Sequence, residues 1–429
     1  MDIQQYLRDI AIVLRNEINV GLPLLWRRFS ATPPDKTFSV KRFLILPCDP
    51  ASSTGSLGDA AMLAGLMHSL RLQHPDCCFL LIGTGSHQVD IPGVGSVDVI
   101  AAWEGWHGSL AFDDLIRQYD SFYVLGADVM DGAYGAALVC RMASYCNHAA
   151  RLGIPATIVG FSFNRNPRRA AVHALARLQS EVRINVRDPR SLERFSAATR
   201  RHATLCADVA FLMHPAEESD PAIEAWIQEA HTNNRVPVGI NINAHAFSKV
   251  IAEMGEVAVV EAVAHELSKA AERCNLAFLL IPHDVKTKGG DIRLLQSLEQ
   301  ELNRYGPRMI RSILLTDPSK IKRIVGQLAL VVTGRMHLAI ASLGMGTPVL
   351  CVAYQDKFEG LFQHFDFPLE HLAQPQECVT DTFSIKIENA IQRLGEMRDQ
   401  VTKALPGVIQ ASERNLSSCC SPGKKSCEL

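Results

Sequence analysis

Short apolar segments alternate with helical patterns along most of the 429-residue chain, and this alternation constrains the fold more than any other feature. The apolar runs are rich in Val, Ile and Leu without polar alternation, which is typical of strands buried on both faces of a parallel sheet. In the first half, strands are predicted at 43–46, 79–82, 121–125, 156–159, 183–186 and 209–212. The series restarts at 238–242 and continues at 278–281, 312–315, 328–332 and 349–352. Alternation of this kind predicts an α/β fold with parallel strands and crossover helices.

The restart predicts two Rossmann-like parallel-sheet domains that face each other across a cleft. A chain of 429 residues also exceeds a single ordinary core. The predicted order is an N-terminal helical segment (1–40), a first domain (41–232), a second domain (233–375), a C-terminal helical segment (376–415) and a disordered tail (416–429).

The N-terminal segment carries an apolar stripe at helical spacing, formed by Leu7, Ile10, Leu14 and Ile18. A terminal amphipathic helix can lie on a membrane surface, but it more often docks on its own domain or on another subunit. Peripheral membrane contact and a homo-oligomer therefore both stay open, whereas no apolar stretch has membrane-spanning length.

Composition and charge narrow the class of partner. The chain is 47% hydrophobic and 21% charged, and its formal net charge of −2 gives no reason to expect nucleic acid as a partner. Six of its cysteines stand apart in apolar or helical stretches, and none is spaced as in a zinc site: Cys48, Cys140, Cys146, Cys206, Cys274 and Cys351. With no secretory signal at its start, the protein is expected to be cytoplasmic and reduced, with no metal.

One turn in the second half is a candidate reaction site. Arg335 and His337 follow an apolar run and Gly334, and they directly precede a helical pattern. In open α/β sheets such a turn lies at the carboxyl edge where ligands bind, and N–H groups at the helix start favour anions. A guanidinium beside an imidazole indicates anion binding and proton transfer, although a surface arginine and a capping histidine also fit the pattern.

Ordered segments across most of residues 41–375 resemble the polysaccharide pyruvyl transferase family. They are Gly58-Asp59-Ala60-Ala61; Val124-Leu125-Gly126-Ala127-Asp128 with Asp131-Gly132; Asn185-Val186-Arg187-Asp188 with Ser191; Ala207-Asp208-Val209-Ala210-Phe211; Leu280-Ile281-Pro282-His283-Asp284; and Thr333-Gly334-Arg335-Met336-His337 with Pro348, Tyr354 and Lys357 downstream. The chain departs from the family pattern twice. The asparagine usual ahead of Gly58 is absent, and only the first glycine of the family's triple glycine remains, as Gly126 followed by Ala127 and Asp128.

The resemblance implies transfer of an enolpyruvyl unit from phosphoenolpyruvate to two hydroxyls of a sugar, which gives a pyruvate ketal and releases phosphate. Phosphoenolpyruvate is then a donor substrate and no cofactor is implied. The acceptor is a sugar or glycan, free or lipid-linked, of a cell-surface polysaccharide or its precursor. The implied fold is the two-domain glycosyltransferase-B type, in which we expect the first domain on the acceptor side and the second on the donor side.

The donor's chemistry sets requirements for individual residues. Phosphoenolpyruvate carries a carboxylate and a phosphate, so planar bidentate cations are needed, and Arg335 and Arg187 are the candidates. Lys357 is a candidate for an additional point charge. The donor's methylene must be protonated before a hydroxyl attacks, and His337 is the candidate acid because histidine titrates near neutrality.

The remaining candidates for substrate binding also have simple structural explanations. Asp59 opens a predicted helix, where a carboxylate is stabilising without a ligand. Asp128 follows a strand and can orient sugar hydroxyls. His283 either lines the cleft or bonds to a loop carbonyl. Arg187, with its neighbour Asp188, can simply belong to the cap of the next helix.

Two other functions stay open at this point. A nucleotide-sugar-dependent glycosyltransferase shares the fold but binds a diphosphate donor, because function resides in the site and not in the fold. A catalytically silent protein of the same fold is the second alternative, and the departures at Ala127 and before Gly58 motivate it.

Overall fold

The computed structural model describes residues 3–30, 40–284, 290–305, 310–353 and 357–416. Tyr354 and residues 417–429 of the predicted tail lie outside the described residues.

The first domain is built around a sheet that has eight strands in the described residues. They are β1 (Arg42–Leu46), β2 (Cys78–Gly83), β3 (His87–Ile91), β4 (Gly95–Ala101), β5 (Ser121–Ala127), β6 (Ala156–Phe161), β7 (Arg183–Val186) and β8 (Thr204–Leu205). Their order is β3-β4-β2-β1-β5-β6-β7-β8, and β3 and β4 pair antiparallel whereas the other neighbours are parallel. The hairpin of β3 and β4 was not predicted, because its largely exposed residues lack the apolar run that marks the other strands.

Helices cover both faces of this sheet and extend before it. They are α1 (Ile3–Asn16), α2 (Leu22–Ser30), α3 (Leu57–Gln73), α4 (Gly105–Ile116), α5 (Ala136–Arg151), α6 (Arg169–Ala176), α7 (Pro189–Thr199) and α8 (Pro221–Thr232). A π-helical turn at Glu17–Gly21 joins the first two. The N-terminal segment is therefore helical, as predicted from its apolar spacing.

The second domain has six parallel strands in its described part. They are β9 (Val236–Asn241), β10 (Leu276–Leu280), β11 (Ile310–Ser312), β12 (Leu330–Thr333), β13 (Val349–Val352) and β14 (Leu372–Ala373). Their order, β11-β10-β9-β12-β13-β14, is the Rossmann order, in which the strand sequence reverses between β9 and β12. The predicted α/β class with two parallel-sheet domains is confirmed.

The helices of this half are α9 (Ser248–Met254), α10 (Glu256–Cys274), α11 (Ile292–Arg304), α12 (Pro318–Val325), α13 (Met336–Leu343), α14 (Lys357–Gln363), α15 (Asp381–Gln392) and α16 (Leu394–Glu413). After α16 the chain contacts the first domain, where Nδ2 of Asn415 donates to the carbonyl of Ala207 at 3.0 Å. The predicted boundaries between the domains stay a prediction.

Two predicted strands were wrong in type or position. Residues Val209–Leu212 form a 3-10 helix, because the side chain of Asp208 accepts a hydrogen bond from the Ala210 N–H at 2.9 Å and so begins a helical turn. The strand predicted at 312–315 lies earlier, at Ile310–Ser312, where it pairs with β10.

The 3-10 helix also forms part of the contact between the two domains. The buried ammonium of Lys322 in α12 donates to the carbonyls of Phe211 and Met213, at 2.9 and 2.6 Å. These carbonyls belong to the end of the 3-10 helix, which needs such donors. These two hydrogen bonds therefore hold the segment that carries Asp208 against the second domain.

Candidate active site

A cavity of about 680 Å³ lies between the two domains, at the carboxyl ends of β1, β5 and β12. Ligands of open α/β sheets bind in this position, outside the strand ends where the strand order reverses. The cavity wall includes each of the seven residues predicted for the site: Asp59, Asp128, Arg187, His283, Arg335, His337 and Lys357. The fold therefore brings together groups that are up to 298 residues apart in sequence (357 minus 59).

His337 stands in the first turn of α13 and faces the first domain. A Cβ atom placed on Gly58 would lie 2.2 Å from its Nδ1, so the imidazole packs against the bare backbone at the start of α3. Its Nε2 lies 3.6 Å from Oδ2 of Asp208, beyond hydrogen-bond length, and has no hydrogen-bond partner among the described residues. The side chain is 18% exposed, so one part of the ring reaches the cavity.

Arg187 and Asp208 form a buried ion pair behind this histidine. Nη1 of Arg187 lies 2.7 Å from Oδ2 of Asp208, and its Nε donates to Oγ of Ser162 at 2.8 Å. Burial by itself would raise the pKa of Asp208, but His337 and Arg187 hold it well below its usual range. Asp208 is therefore an anion shared between an arginine of its own domain and a histidine of the other.

Arg335 is held by carboxylates of the second domain. Its Nε and Nη2 lie 3.1 and 2.5 Å from Oδ1 of the fully buried Asp291, and Nη2 is 3.4 Å from Asp284. Asp291 also accepts hydrogen bonds from Nδ2 of Asn241 and from the backbone N–H groups of residues 283 and 284. One edge of the guanidinium is thus occupied, so the paired donors predicted for the donor substrate are not all turned to the cavity.

Lys357 and Asp128 pair across the cleft. Nζ of Lys357, the first residue of α14, lies 2.5 Å from Oδ2 of Asp128, which also accepts from the Tyr134 hydroxyl at 3.3 Å. Burial raises the pKa of Asp128, but Lys357 and Arg187 lower it to about 2. The preceding residue, Ala127, has φ +43°, in the left-handed region that favours glycine.

Asp59 is engaged in a helix cap, as its alternative explanation predicts. One carboxylate oxygen accepts from the Ser56 N–H and the other from Sγ of Cys48, while Oγ of Ser56 accepts from the Asp59 N–H in return. This reciprocal capping box begins α3 and places Gly58 against His337. Burial raises the pKa of Asp59.

His283 is buried at the end of β10 and lines the cavity from the second domain. Burial, together with the nearby charges of His337 and Arg335, lowers its pKa to about 3. This ring is therefore neutral at physiological pH and cannot serve as a proton donor in the way that an imidazolium does.

Sequence reasoning did not assign a site role to Asp208 or Asp291. Asp208 lies in one of the family-like segments, but the apolar residues after it were interpreted as a strand, and its position as a helix cap was overlooked. Asp291 directly precedes α11, and its contact with Arg335 spans 44 residues, which spacing alone does not predict.

Each basic group predicted to bind the donor lines this cavity and has a carboxylate partner. Arg187 pairs with Asp208, Arg335 with Asp291, and Lys357 with Asp128. Such pairs orient cations that would otherwise be costly to bury. Within the described ranges, no three His, Cys, Asp or Glu side chains are grouped so that they could hold a metal ion.

A family model described as polysaccharide pyruvyl transferase matches residues 57–356. The curated proteins give no match.

Solved structures resemble the chain at the level of the fold. A putative UDP-N-acetylglucosamine 2-epimerase from Listeria monocytogenes is 12% identical, with 88% of this chain and 95% of that chain covered and a TM-score of 0.58. A UDP-GlcNAc 2-epimerase from Methanocaldococcus jannaschii is 10% identical, covering 86% and 100%, with a TM-score of 0.52. A trehalose-6-phosphate synthase is 9% identical, covering 87% and 96%, with a TM-score of 0.53. At such identities the likeness shows the fold alone, and it confirms the predicted glycosyltransferase-B-like architecture.

Proposed function

The chain belongs to the polysaccharide pyruvyl transferase family, and we propose that it moves the enolpyruvyl group of phosphoenolpyruvate onto a sugar of a cell-surface polysaccharide or its precursor. The product is a pyruvate ketal that bridges two hydroxyls, and the phosphate leaves as inorganic phosphate. The observation that carries this proposal is the position of His337 in a cavity that Arg187, Arg335 and Lys357 also line.

The first chemical requirement is a proton for the donor's methylene carbon. His337 fits this role because part of its ring reaches the cavity while its Nε2 faces the carboxylate of Asp208, 3.6 Å away. That carboxylate matches the positive charge of an imidazolium. Because Nε2 is buried against it, we assign the transferred proton to Nδ1, which lies beside Gly58 of the cavity wall, and the same nitrogen later accepts a proton from a sugar hydroxyl. Protonation makes the neighbouring carbon electrophilic. One hydroxyl attacks this carbon and returns a proton to His337. The C–O bond to phosphate then breaks, and the phosphate takes the bonding electron pair. The second hydroxyl closes the ketal and gives its proton to the phosphate, which leaves as hydrogen phosphate.

The second requirement is a set of cations for the donor's carboxylate and phosphate. Arg335 directs Nε and Nη2 to Asp291, and Asp284 lies 3.4 Å from Nη2, so we propose that the anionic donor competes with Asp284 for the cavity side of this guanidinium. Arg187 lines the same cavity while Nε and Nη1 are engaged behind it. The carboxylate partners hold both guanidinium planes in place, so little side-chain freedom is lost when an anion binds.

The third requirement is a place for the acceptor's hydroxyls. Asp128 lies on the first-domain wall and is ionised at physiological pH, because its pKa is about 2. An anionic donor competes with Asp128 for Lys357, which frees carboxylate lone pairs to accept hydrogen bonds from sugar hydroxyls. This puts the acceptor on the first domain and the donor mainly on the second.

The experiment that tests the proposed function is incubation with phosphoenolpyruvate and a panel of sugar acceptors. We expect phosphate release that depends on the acceptor, together with a product whose mass corresponds to a pyruvate ketal. Phosphate release without a ketal in the product would contradict the proposal, and so would the absence of turnover with every acceptor on the panel. A catalytically silent protein would show neither signal.

A thermal-shift comparison separates this proposal from a nucleotide-sugar-dependent glycosyltransferase. Phosphoenolpyruvate should raise Tm by mass action, whereas UDP-sugars at the same concentration should not. If UDP-sugars raised Tm and phosphoenolpyruvate did not, the result would favour the glycosyltransferase.

A further inference from the structure

The N-terminal helical segment presents a row of large apolar side chains to solvent. These side chains, which we call the apolar stripe, are 39% to 62% exposed: Leu7, Ile10, Leu14, Ile18, Leu22, Leu25 and Trp26. From Leu7 to Leu25 they follow each other at steps of three or four residues, so they lie along one side of the helical segment. At about 1.5 Å per residue the stripe is roughly 30 Å long.

The opposite side of the same segment is docked on the first domain. Helix α1 packs against α5 and α6, and α2 packs against α4. Nδ2 of Asn16 donates to Oγ of Ser144 at 3.0 Å, and Oγ of Ser109 donates to the carbonyl of Asn19 at 2.9 Å. The segment is thus fixed in orientation, and the stripe faces outward because the other side is used for docking.

We propose that the apolar stripe binds the surface of an anionic lipid bilayer. Residues 3–30 contain four arginines and two acidic residues, and one of those acids, Asp9, is buried. Arg8 and Arg15 are exposed beside the stripe. Basic residues that flank an outward apolar face are typical of helices that lie in the headgroup region, where Trp26 also fits.

Charge favours lipid over a second copy of the chain as the occupant. A second copy would bring another basic helix against the first, whereas anionic headgroups complement the arginines. None of the described helices is long and apolar enough to cross a membrane.

The attached helix lies close to the cavity. Its contact residue Ser109 begins the second turn of α4, about 7 Å along the helix axis from Glu104, which lines the cavity. A bilayer on the stripe would therefore present a lipid-carried acceptor near the first-domain wall. This last point rests on the proposed function, whereas the lipid contact does not.

Vesicle flotation of the full chain tests the proposal, with phosphatidylcholine vesicles that contain or lack phosphatidylglycerol. The double variant Leu14→Glu/Ile18→Glu should reduce the partition coefficient on anionic vesicles by at least about tenfold, because burial of two apolar side chains is lost. Leu314→Glu is the matched control, since Leu314 is 65% exposed and Leu14 58%, and its binding should equal that of wild type. Arg8→Gln/Arg15→Gln should weaken binding to the anionic vesicles by roughly fivefold per arginine.

Failure of wild type to float, or equal flotation of the double variant, overturns the proposal. A second result would also overturn it: wild type does not bind vesicles, and light scattering shows that wild type is a dimer whereas the double variant is a monomer. A second copy of the chain would then cover the stripe. Phosphate release with a water-soluble acceptor is measured in the same variants and should be unchanged. Absence of turnover in wild type would count against the proposed function and would leave the flotation result standing.

Discussion

Arg187 and Arg335 reach the same cavity from opposite domains, yet they are held in different ways. The side chains of Arg187 and Asp208 are 1% and 2% exposed, whereas Arg335 is 20% exposed against the fully buried Asp291. The first pair is almost fully buried behind the cavity wall, whereas the cation of the second pair is partly exposed. Arg335 is therefore the arginine that is better placed to exchange water for a ligand.

The partners of the two carboxylates differ as well. Asp291 accepts from Asn241 and from two backbone N–H groups besides Arg335, so its charge is stabilised even without the arginine. Among the described residues, the side chain of Asp208 has one backbone donor, that of Ala210, besides Arg187 and the more distant His337. Arg187 therefore stabilises the first-domain wall through Asp208, whereas Arg335 is oriented by a carboxylate whose charge does not depend on it.

The largest effect is expected at His337. This residue lies in the same turn as Arg335, and it faces the carboxylate of Asp208, which also pairs with Arg187. His337→Gln should lower kcat by about 10²- to 10⁴-fold, the usual contribution of a general acid, while phosphoenolpyruvate still binds. His283→Gln is the matched control at a second cavity histidine, which is neutral near pH 7 and should keep most of the turnover. Turnover and donor binding are measured in parallel, and a larger loss at His283 would reverse the assignment.

The next effect concerns stability and separates the two arginines directly. Arg187→Met leaves Asp208 buried without its main partner, so the free energy of unfolding should fall by about 3–5 kcal/mol. Arg335→Met should cost about 1–2 kcal/mol, because Asp291 keeps three other donors. Urea denaturation of both variants measures the two losses in the free energy of unfolding, and equal losses would contradict the proposed difference between the two arginines.

Donor affinity should show the opposite preference. Arg335→Lys keeps the charge but cannot offer two N–H groups along one edge, so phosphoenolpyruvate should bind about 10- to 100-fold more weakly while Tm changes little. Calorimetric titration measures the affinity. Unchanged binding would show that Arg335 serves Asp291 alone.

A pH-dependent effect should arise from the buried His283 near Arg335. Its folded pKa is about 3 and its ordinary value 6.5, so between these pH values the unfolded chain binds more protons. Stability therefore falls as the pH drops from 6.5 towards 3, by up to about 1.4 kcal/mol per pH unit. In His283→Gln the fall measured by urea denaturation at several pH values should be shallower, and an identical slope would contradict the buried, neutral assignment.

The smallest effect is expected at the first-domain wall, at Ala127. Glycine adopts its φ of +43° without strain, so Ala127→Gly should raise the free energy of unfolding by about 0.5 kcal/mol after the greater freedom of the unfolded chain is subtracted. Thermal unfolding measures this. A loss of stability would show that the backbone at this position carries no strain.

Much of the fold was predictable from sequence, because buried strands and the turns after them leave local patterns. Such a turn predicted Arg335 and His337 at the cavity, whereas the other candidate residues came from the resemblance to a known family. Buried strands such as β12 have apolar runs, and the turn after it places Arg335 and His337 at a ligand-binding edge whatever the remaining chain does. The 3-10 helix at Val209–Leu212 was misjudged because a short apolar run fits a strand or a helix, and only the Asp208 cap decides.

The pairing of charges in the cavity was not predictable. Lys357 and Asp128 are 229 residues apart, and their contact depends on how the two domains face each other. Asp59 shows the same limit from the other side, since its position at a helix start fitted either a ligand or a cap, and the structure engages it in the cap. Local pattern thus indicates which residues reach the site, whereas tertiary packing determines their partners.

The proton transfer by His337 can be followed in a single-turnover reaction in D₂O, with phosphoenolpyruvate bound before a sugar acceptor is added. Wild type should release phosphate and form a ketal whose methyl group carries one deuterium from solvent, whereas His337→Gln should bind the donor and form no ketal. A ketal formed by His337→Gln at the wild-type rate, or a methyl group without solvent deuterium, would contradict the role given to His337.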